Sequence, residues 1–87
     1  MTDDVESRRR RAAFRAAHRG TKEMDWLVGR FADAHLSDMS PEGLAMFEKA
    51  LEIPDPVLHD MILYPHTAPA GEFAGLVSQI RAFHGLE

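Results

Sequence analysis

Residues 21–36 read TKEMDWLVGRFADAHL, and the spacing of their apolar residues decides the fold class. Met24, Leu27, Val28 and Phe31 recur at i, i+3, i+4 and i+7. That is the stripe of an amphipathic α-helix and not the alternation of a strand. Gly29 lies inside the run. Glycine weakens a helix interior by roughly 1 kcal/mol relative to alanine, so its presence there points to a close helix contact.

Outward from this segment, four more helices are expected and no strand. The first covers 5–18, rich in Arg and Ala, with Val5, Ala13, Phe14 and Ala17 as its inward positions. The third covers 41–52, with Ser40 as N-cap, Pro41 at the first helical position and Leu44, Phe47 and Leu51 inward. The fourth begins with Asp55 as cap, carries Val57, Leu58, Met61 and Ile62, and stops near Tyr64-Pro65. Residues 65–71, PHTAPAG, form a turn-rich connection. The fifth covers 72–84, with Phe73, Leu76, Val77 and Ile80 inward and Gly85 as its stop. Short connections between amphipathic helices favour antiparallel neighbours, so the expected fold is an all-α, compact five-helix bundle. It is read as one domain over 1–87, with a flexible arm at 1–7.

Composition narrows the function classes. With 87 residues, 45% apolar and 28% charged, the chain is globular with a thin core. It has no cysteine, which removes disulfides, thiolate nucleophiles and Cys-type zinc sites. No apolar run approaches the roughly 20 residues of a membrane span. The opening MTDDVESRRRR lacks the apolar centre of a secretory signal, and Asp3, Asp4 and Glu6 argue against a transit peptide. The expected location is the bacterial cytoplasm, or the mitochondrial matrix in a eukaryote. Residues 1–20 hold six Arg and three acids, net +3, while residues 21–87 hold four Lys or Arg and eleven acids, net -7. Such a basic head can meet nucleic acid, an acidic partner or its own acidic body.

Catalysis by the chain itself is not expected. His18, His35, His59, His66 and His84 form no close ligand pair on one helix, and no Ser sits in a nucleophile elbow. No Rossmann or P-loop glycine pattern is present, so no stably bound cofactor is expected.

The polar run RGTKE, residues 19–23, stands outside the apolar stripe. At about 100° per residue, Glu23 and Arg30 fall roughly 90–110° to one side of that stripe, and Trp26 lies farther round. Arg19 joins this lateral face if helical geometry continues through Gly20. Arg19, Gly20, Glu23, Trp26 and Arg30 are therefore the candidate partner-binding residues. Gly20 would let a partner backbone approach, the charges would set register, and Trp26 would anchor. Plainer roles stand beside this: an Arg19–Glu23 surface ion pair, Gly20 as a helix stop, and Glu23 at a helix N-terminus.

RGTKE matches the R-G-x-x-E signature of the small succinate dehydrogenase assembly factors, the SdhE-like flavinylation factors. FRAAHRGTKEMDWLVGRFADAHL resembles that family's first two helices, and LSDMSPEGLAMFEKALEIPDPVLHDMILY resembles the next two. The resemblance covers residues 8–64. Met61 stands where many members carry Trp, and Trp26 where relatives are commonly aliphatic, so a contact role for Trp26 rests on spacing alone. The resemblance implies a five-helix protein that binds the flavoprotein subunit of succinate dehydrogenase, with the related fumarate reductase as a further client. It implies promotion of covalent FAD attachment to a client histidine, with Arg19, Gly20 and Glu23 at the contact. The FAD would belong to the client, and the free helper is expected to be a monomer.

Two other readings compete. Arg8, Arg9, Arg10, Arg11 and Arg15 on one helix could neutralise phosphates of a nucleic acid, although the chain is acidic overall. A structural adaptor without a role in flavin chemistry is the third.

Overall fold

The computed structural model describes residues 4–86 and contains five helices joined by short turns. Helix α1 is Val5–Ala17. Helix α2 spans 22–35 in three parts: an α-helical start at Lys22–Met24, a π-helical turn at Asp25–Gly29 and an α-helical end at Arg30–His35. A 3-10 turn, Leu36–Asp38, follows it. Helix α3 is Pro41–Ala50 and α4 is Asp55–Leu63. A second 3-10 turn, Gly71–Phe73, leads into α5, Ala74–Phe83. Helix α1 lies across α2 and touches α3, and α5 packs on α4.

Local chemistry sets the boundaries. The Asp4 carboxylate accepts from the Ser7 amide at 2.7 Å and caps α1. The arm expected at 1–7 therefore becomes helix from Val5; its residues 1–3 lie outside the described residues. Ser40 caps α3 by accepting from the Gly43 amide at 3.0 Å, with Pro41 in the first turn, as expected. The expected cap of α4 shifts by one residue. Pro54 holds the N-cap position, Asp55 is already helical, and its carboxylate is taken by Arg19. At the end of α5, Gly85 has φ +69°, its amide donates to Ala82 at 3.1 Å, and the Leu86 amide donates to Arg81 at 2.8 Å. This pairing is a Schellman stop, as the glycine foretold.

The core is built from Phe31, Phe47, Leu27, Leu44, Leu58, Ile62, Ile80 and Val28. Every residue of the α2 stripe is buried, as are Met61 and Val77. Among the described residues, no polar or charged residue is fully buried.

Helix α1 departs from expectation. Its buried residues are Ala12 and Ala16, while Phe14 is 64% exposed and Ala17 is exposed. The inward stripe was hidden because arginines occupy two of its positions. Arg8 pairs with Glu48 through two hydrogen bonds of 2.6 and 3.2 Å. Arg9 donates to the carbonyls of Leu36 and Met39, the latter at 2.9 Å. Their aliphatic stems cover apolar surface while the forks reach polar partners. Arg15 meets Glu52 at 2.5 Å. Of the three targets open to the basic head, its own acidic body is the one these contacts engage.

Gly29 meets α1, the close helix contact that a glycine inside the helical run pointed to. A Cβ there would lie 3.1 Å from Ala17 Cα and 3.2 Å from the Ala16 carbonyl oxygen. Both are backbone atoms and cannot swing aside. Gly75, in the first turn of α5, has nothing within 4 Å of the same position. The two glycines should respond oppositely to alanine. Gly29→Ala should lower the unfolding free energy by about 1–3 kcal/mol through overpacking. Gly75→Ala should raise it by about 0.4–1 kcal/mol by restricting the unfolded chain. Urea denaturation of both variants beside the wild type measures this.

Candidate functional site

The candidate site starts where α1 ends. His18 leaves helical geometry at φ -130°, ψ 56°. Gly20 then takes φ +115°, a value that L side chains rarely adopt. Thr21 returns to extended backbone and caps α2 by accepting from the Met24 amide at 3.1 Å. The Asp25 carboxylate accepts from the Arg19 amide at 2.6 Å and clamps the turn from the other side. Space does not demand the glycine, since a Cβ would meet only Asp55 Oδ2, at 3.9 Å. The dihedral demands it, and it leaves exposed backbone at the turn.

Helical geometry thus ends at His18 and does not run through Gly20, and Arg19 does not join the expected lateral face. Its side chain is 7% exposed and points inward. Nε donates to Asp55 Oδ1, Nη1 to the Leu51 carbonyl and Nη2 to the Ile53 carbonyl, each at 2.7 Å. The guanidinium fork therefore closes the end of α3 and the start of α4 together. No Arg19–Glu23 ion pair forms, because Asp55 holds the arginine and Glu23 faces a different partner.

That partner is His59 on α4. Its Nε2 lies 3.1 Å from Glu23 Oε1, and its Nδ1 lies 3.2 Å from Asp60 Oδ1. The hydrogen bond to Asp60 acts most strongly and raises the imidazole pKa; burial opposes it, and the charge and hydrogen bond of Glu23 and the charge of Asp60 then leave the net shift upward from 6.5. Tyr64 presents its ring edge-on to His59 at 6.3 Å. Thr21, Glu23, Met24, Asp55, Pro56 and His59 line a shallow cleft of about 200 Å³. A second cleft, about 460 Å³, is bordered by Phe14, Arg15, His18, Arg19, Pro54 and Asp55. Phe14 and His18 stack there with ring centroids 4.0 Å apart.

Trp26 and Arg30 lie farther along α2. Trp26 is 48% exposed and rests on the His84 ring at 4.2 Å. Arg30 is exposed and lines a groove of about 310 Å³ with Ala13, Ala17, Asp25, Gly29 and Asp33. The site read from sequence therefore divides into an inward Arg19, an exposed Gly20–Glu23 segment, a half-exposed Trp26 and Arg30 at the α1 groove.

Asp55, His59 and His84 were not foreseen as site residues. Asp55 and His59 are four residues apart, so they share a face of α4. That spacing was the available signal for the first two. For His84, contacting a residue 58 positions earlier, sequence offered none. Among the described residues, no group of His, Asp or Glu could hold a metal ion, and no helix is long and apolar enough to cross a membrane.

Two outcomes test this geometry. Arg19→Lys keeps the charge but loses the fork, and should destabilise the protein by about 1.5–3 kcal/mol, within the range for a lost hydrogen bond to a charged group. Chemical denaturation reads this. For His59, a raised folded pKa means that its pairing stabilises fully below about pH 6.5 and is lost as pH rises through the folded value. NMR titration should show His59 above the free-histidine value. Asp60→Asn should lower it most, with Glu23→Gln lowering it also.

Comparison with known proteins relates the chain to a family. A family model described as "Sdh5: Flavinator of succinate dehydrogenase" matches residues 10–84. The chain is 48% identical over 60 residues to the FAD assembly factor SdhE of Acetobacter pasteurianus, covering 69% of this chain and 55% of that protein. It is 36% identical over 53 residues to the mitochondrial succinate dehydrogenase assembly factor 2 of Yarrowia lipolytica, covering 61% of this chain and 37% of the relative. The FAD assembly factor SdhE of Coxiella burnetii is 30% identical over 63 residues, covering 72% and 77%. The chain thus spans about half or less of the first two relatives and most of the third. No solved structure matches.

Proposed function

Because the chain belongs to the Sdh5 family, the flavinators of succinate dehydrogenase, we propose that it binds the flavoprotein subunit of that enzyme and promotes covalent attachment of FAD to a client histidine. Fumarate reductase, a related flavoprotein, is the second client we propose. The helper is a monomer when free, holds no cofactor of its own and performs no bond-making step. It works where its client matures, in the bacterial cytoplasm or the mitochondrial matrix.

The observation that carries this reading is the exposed Gly20 at φ +115°, beside the buried Arg19 fork and three residues before the exposed Glu23. A bare backbone next to a carboxylate lets a partner chain come close and find a charge at a set position. Because the turn is already clamped, little ordering entropy is lost on binding. Glu23 makes the charge-assisted contact to the client. Trp26 supplies apolar area and Arg30 a further polar contact. Arg19 acts as a positioning residue, since its donors are engaged within the chain.

Such a helper acts through orientation. The flavin chemistry belongs to the cofactor. Binding one client conformation more tightly than others shifts the population toward it. If that conformation aligns FAD with the accepting histidine, alignment alone removes several kcal/mol of barrier, out of the roughly 7–11 kcal/mol available to well-oriented reactions. The nucleic-acid reading loses ground because Arg8 and Arg15 already pair with Glu48 and Glu52.

Co-expression tests the proposal. The flavoprotein subunit is produced alone, with the wild-type helper, and with Glu23→Ala or Gly20→Arg. Covalent FAD is then read by in-gel fluorescence after denaturation. Fluorescence should depend on the wild-type helper and fall by an order of magnitude, about tenfold, with Glu23→Ala, as loss of a charge-assisted contact implies. Gly20→Arg should abolish it, and circular dichroism checks that this variant stays helical. Equal fluorescence in every lane would overturn the assignment.

A further inference from the structure

The C-terminal helix reaches back to the π-helical turn of α2 through one residue. His84 caps the end of α5. Its Nε2 lies 2.8 Å from the Leu27 carbonyl oxygen, in the middle of the turn Asp25–Gly29. A carbonyl only accepts, so Nε2 carries the proton and donates. The same imidazole lies against the Trp26 indole at 4.2 Å with a 40° tilt. Phe83, next to it, meets Phe31 edge-on at 5.9 Å and fixes the approach of α5 to α2.

These contacts bear on the widened turn. A π turn departs from the regular i→i−4 pairing of an α-helix and often marks a functional site. Here it carries a half-exposed Trp, three residues beyond Glu23. Left alone, a half-exposed indole samples several rotamers, and ordering them on binding weakens affinity. His84 acts on both problems. It bonds to a carbonyl of the turn and gives the indole a surface to rest on.

We infer that His84 is a positioning residue for client recognition, holding the π-helical turn and the Trp26 ring in a preset arrangement from the far end of the chain. This rests on the client-binding role proposed above, and it gives the C-terminal helix a task beyond closing the core. His84 itself need not touch the client.

The chain contains a single Trp, so its fluorescence reports Trp26 alone. The full-length helper is compared with His84→Leu, His84→Gln, Trp26→Leu and the double variant Trp26→Leu/His84→Leu. Gln places an N–H donor at about the reach of Nε2 but lacks the ring. Affinity for the isolated flavoprotein subunit is measured by surface plasmon resonance, and acrylamide quenching reads Trp26 mobility. The expected results are a roughly five- to twentyfold affinity loss for His84→Leu, partial rescue by Gln, and a double variant no worse than Trp26→Leu alone. Quenching of Trp26 should rise in His84→Leu. A purely structural role would lower affinity additively with Trp26→Leu and would show no coupling. Unchanged affinity in His84→Leu while Glu23→Ala loses binding would overturn this inference and leave the client reading standing. Failure of the wild type to bind the flavoprotein would bring both down.

Discussion

The fold turns on the guanidinium of Arg19. A charged group that is 7% exposed must find partners for its donors, because an unpaired buried charge is far more costly than the stem that carries it is stabilising. Its partners are Leu51 and Ile53 at the end of α3 and Asp55 at the start of α4. Its own amide is held by Asp25 in α2. One residue thus fixes how α1, α2, α3 and α4 meet. If α3 or α4 shifts, the fork loses an acceptor, and if α2 shifts, the Arg19 amide loses Asp25.

The same device recurs elsewhere in the molecule. Arg9 donates to Leu36 and Met39 where α2 ends, and Arg81 donates to Ile62 at 2.5 Å where α4 ends. The last carbonyls of a helix have no partners within it, and a planar fork can satisfy several at once. A small domain has little apolar area to bury. Arginines that fill gaps with their stems and close helix ends with their forks use each buried residue twice. This also explains why the R-G-x-x-E signature divides. Arg19 builds the corner, Gly20 provides the backbone angle that only glycine adopts easily, and Glu23 is left at the surface.

The parts of the fold that follow from apolar periodicity were legible in the sequence. The α2 stripe, the Ser40-Pro41 start of α3 and the Gly85 stop each depend on local chemistry within one turn. The close contact at Gly29 was legible too, since a glycine inside a strong helix pattern asks for a steric reason. The α1 stripe was legible only in part: Val5 and Ala13 pack against the core as expected, while Phe14 and Ala17 do not. Arg8 and Arg9 occupy inward positions, and a hydrophobicity pattern counts them as polar although their stems are covered. Phe14 read as core because it is apolar, yet the facing surface is taken by Ala12 and Ala16, whose small side chains allow α1 to lie close to α2. At the candidate site, the signature could not reveal Arg19's direction. That depends on the end of α1 at His18, on the backbone angle at Gly20 and on an acceptor 36 residues away. The π turn had no local signature at all, because what holds it lies in other helices.

Those holding contacts come from both ends of the chain. Gly29 accepts the backbone of α1 at Ala16 and Ala17, and Leu27 accepts the imidazole N–H of His84 beyond α5. A side chain at Gly29 would push α1 away, and loss of the imidazole would leave Trp26 without the ring it rests on. The segment from Gly20 to Arg30 is therefore shaped from three sides: by Arg19 at its start, by α1 along its length and by α5 at the indole. The candidate segment is part of a core helix, with one stripe buried at Leu27, Val28 and Phe31 and with Glu23, Trp26 and Arg30 exposed on its other sides. Rigidity at that surface is then inherited from the core itself, and a change in how the helices pack becomes a change in what the surface presents.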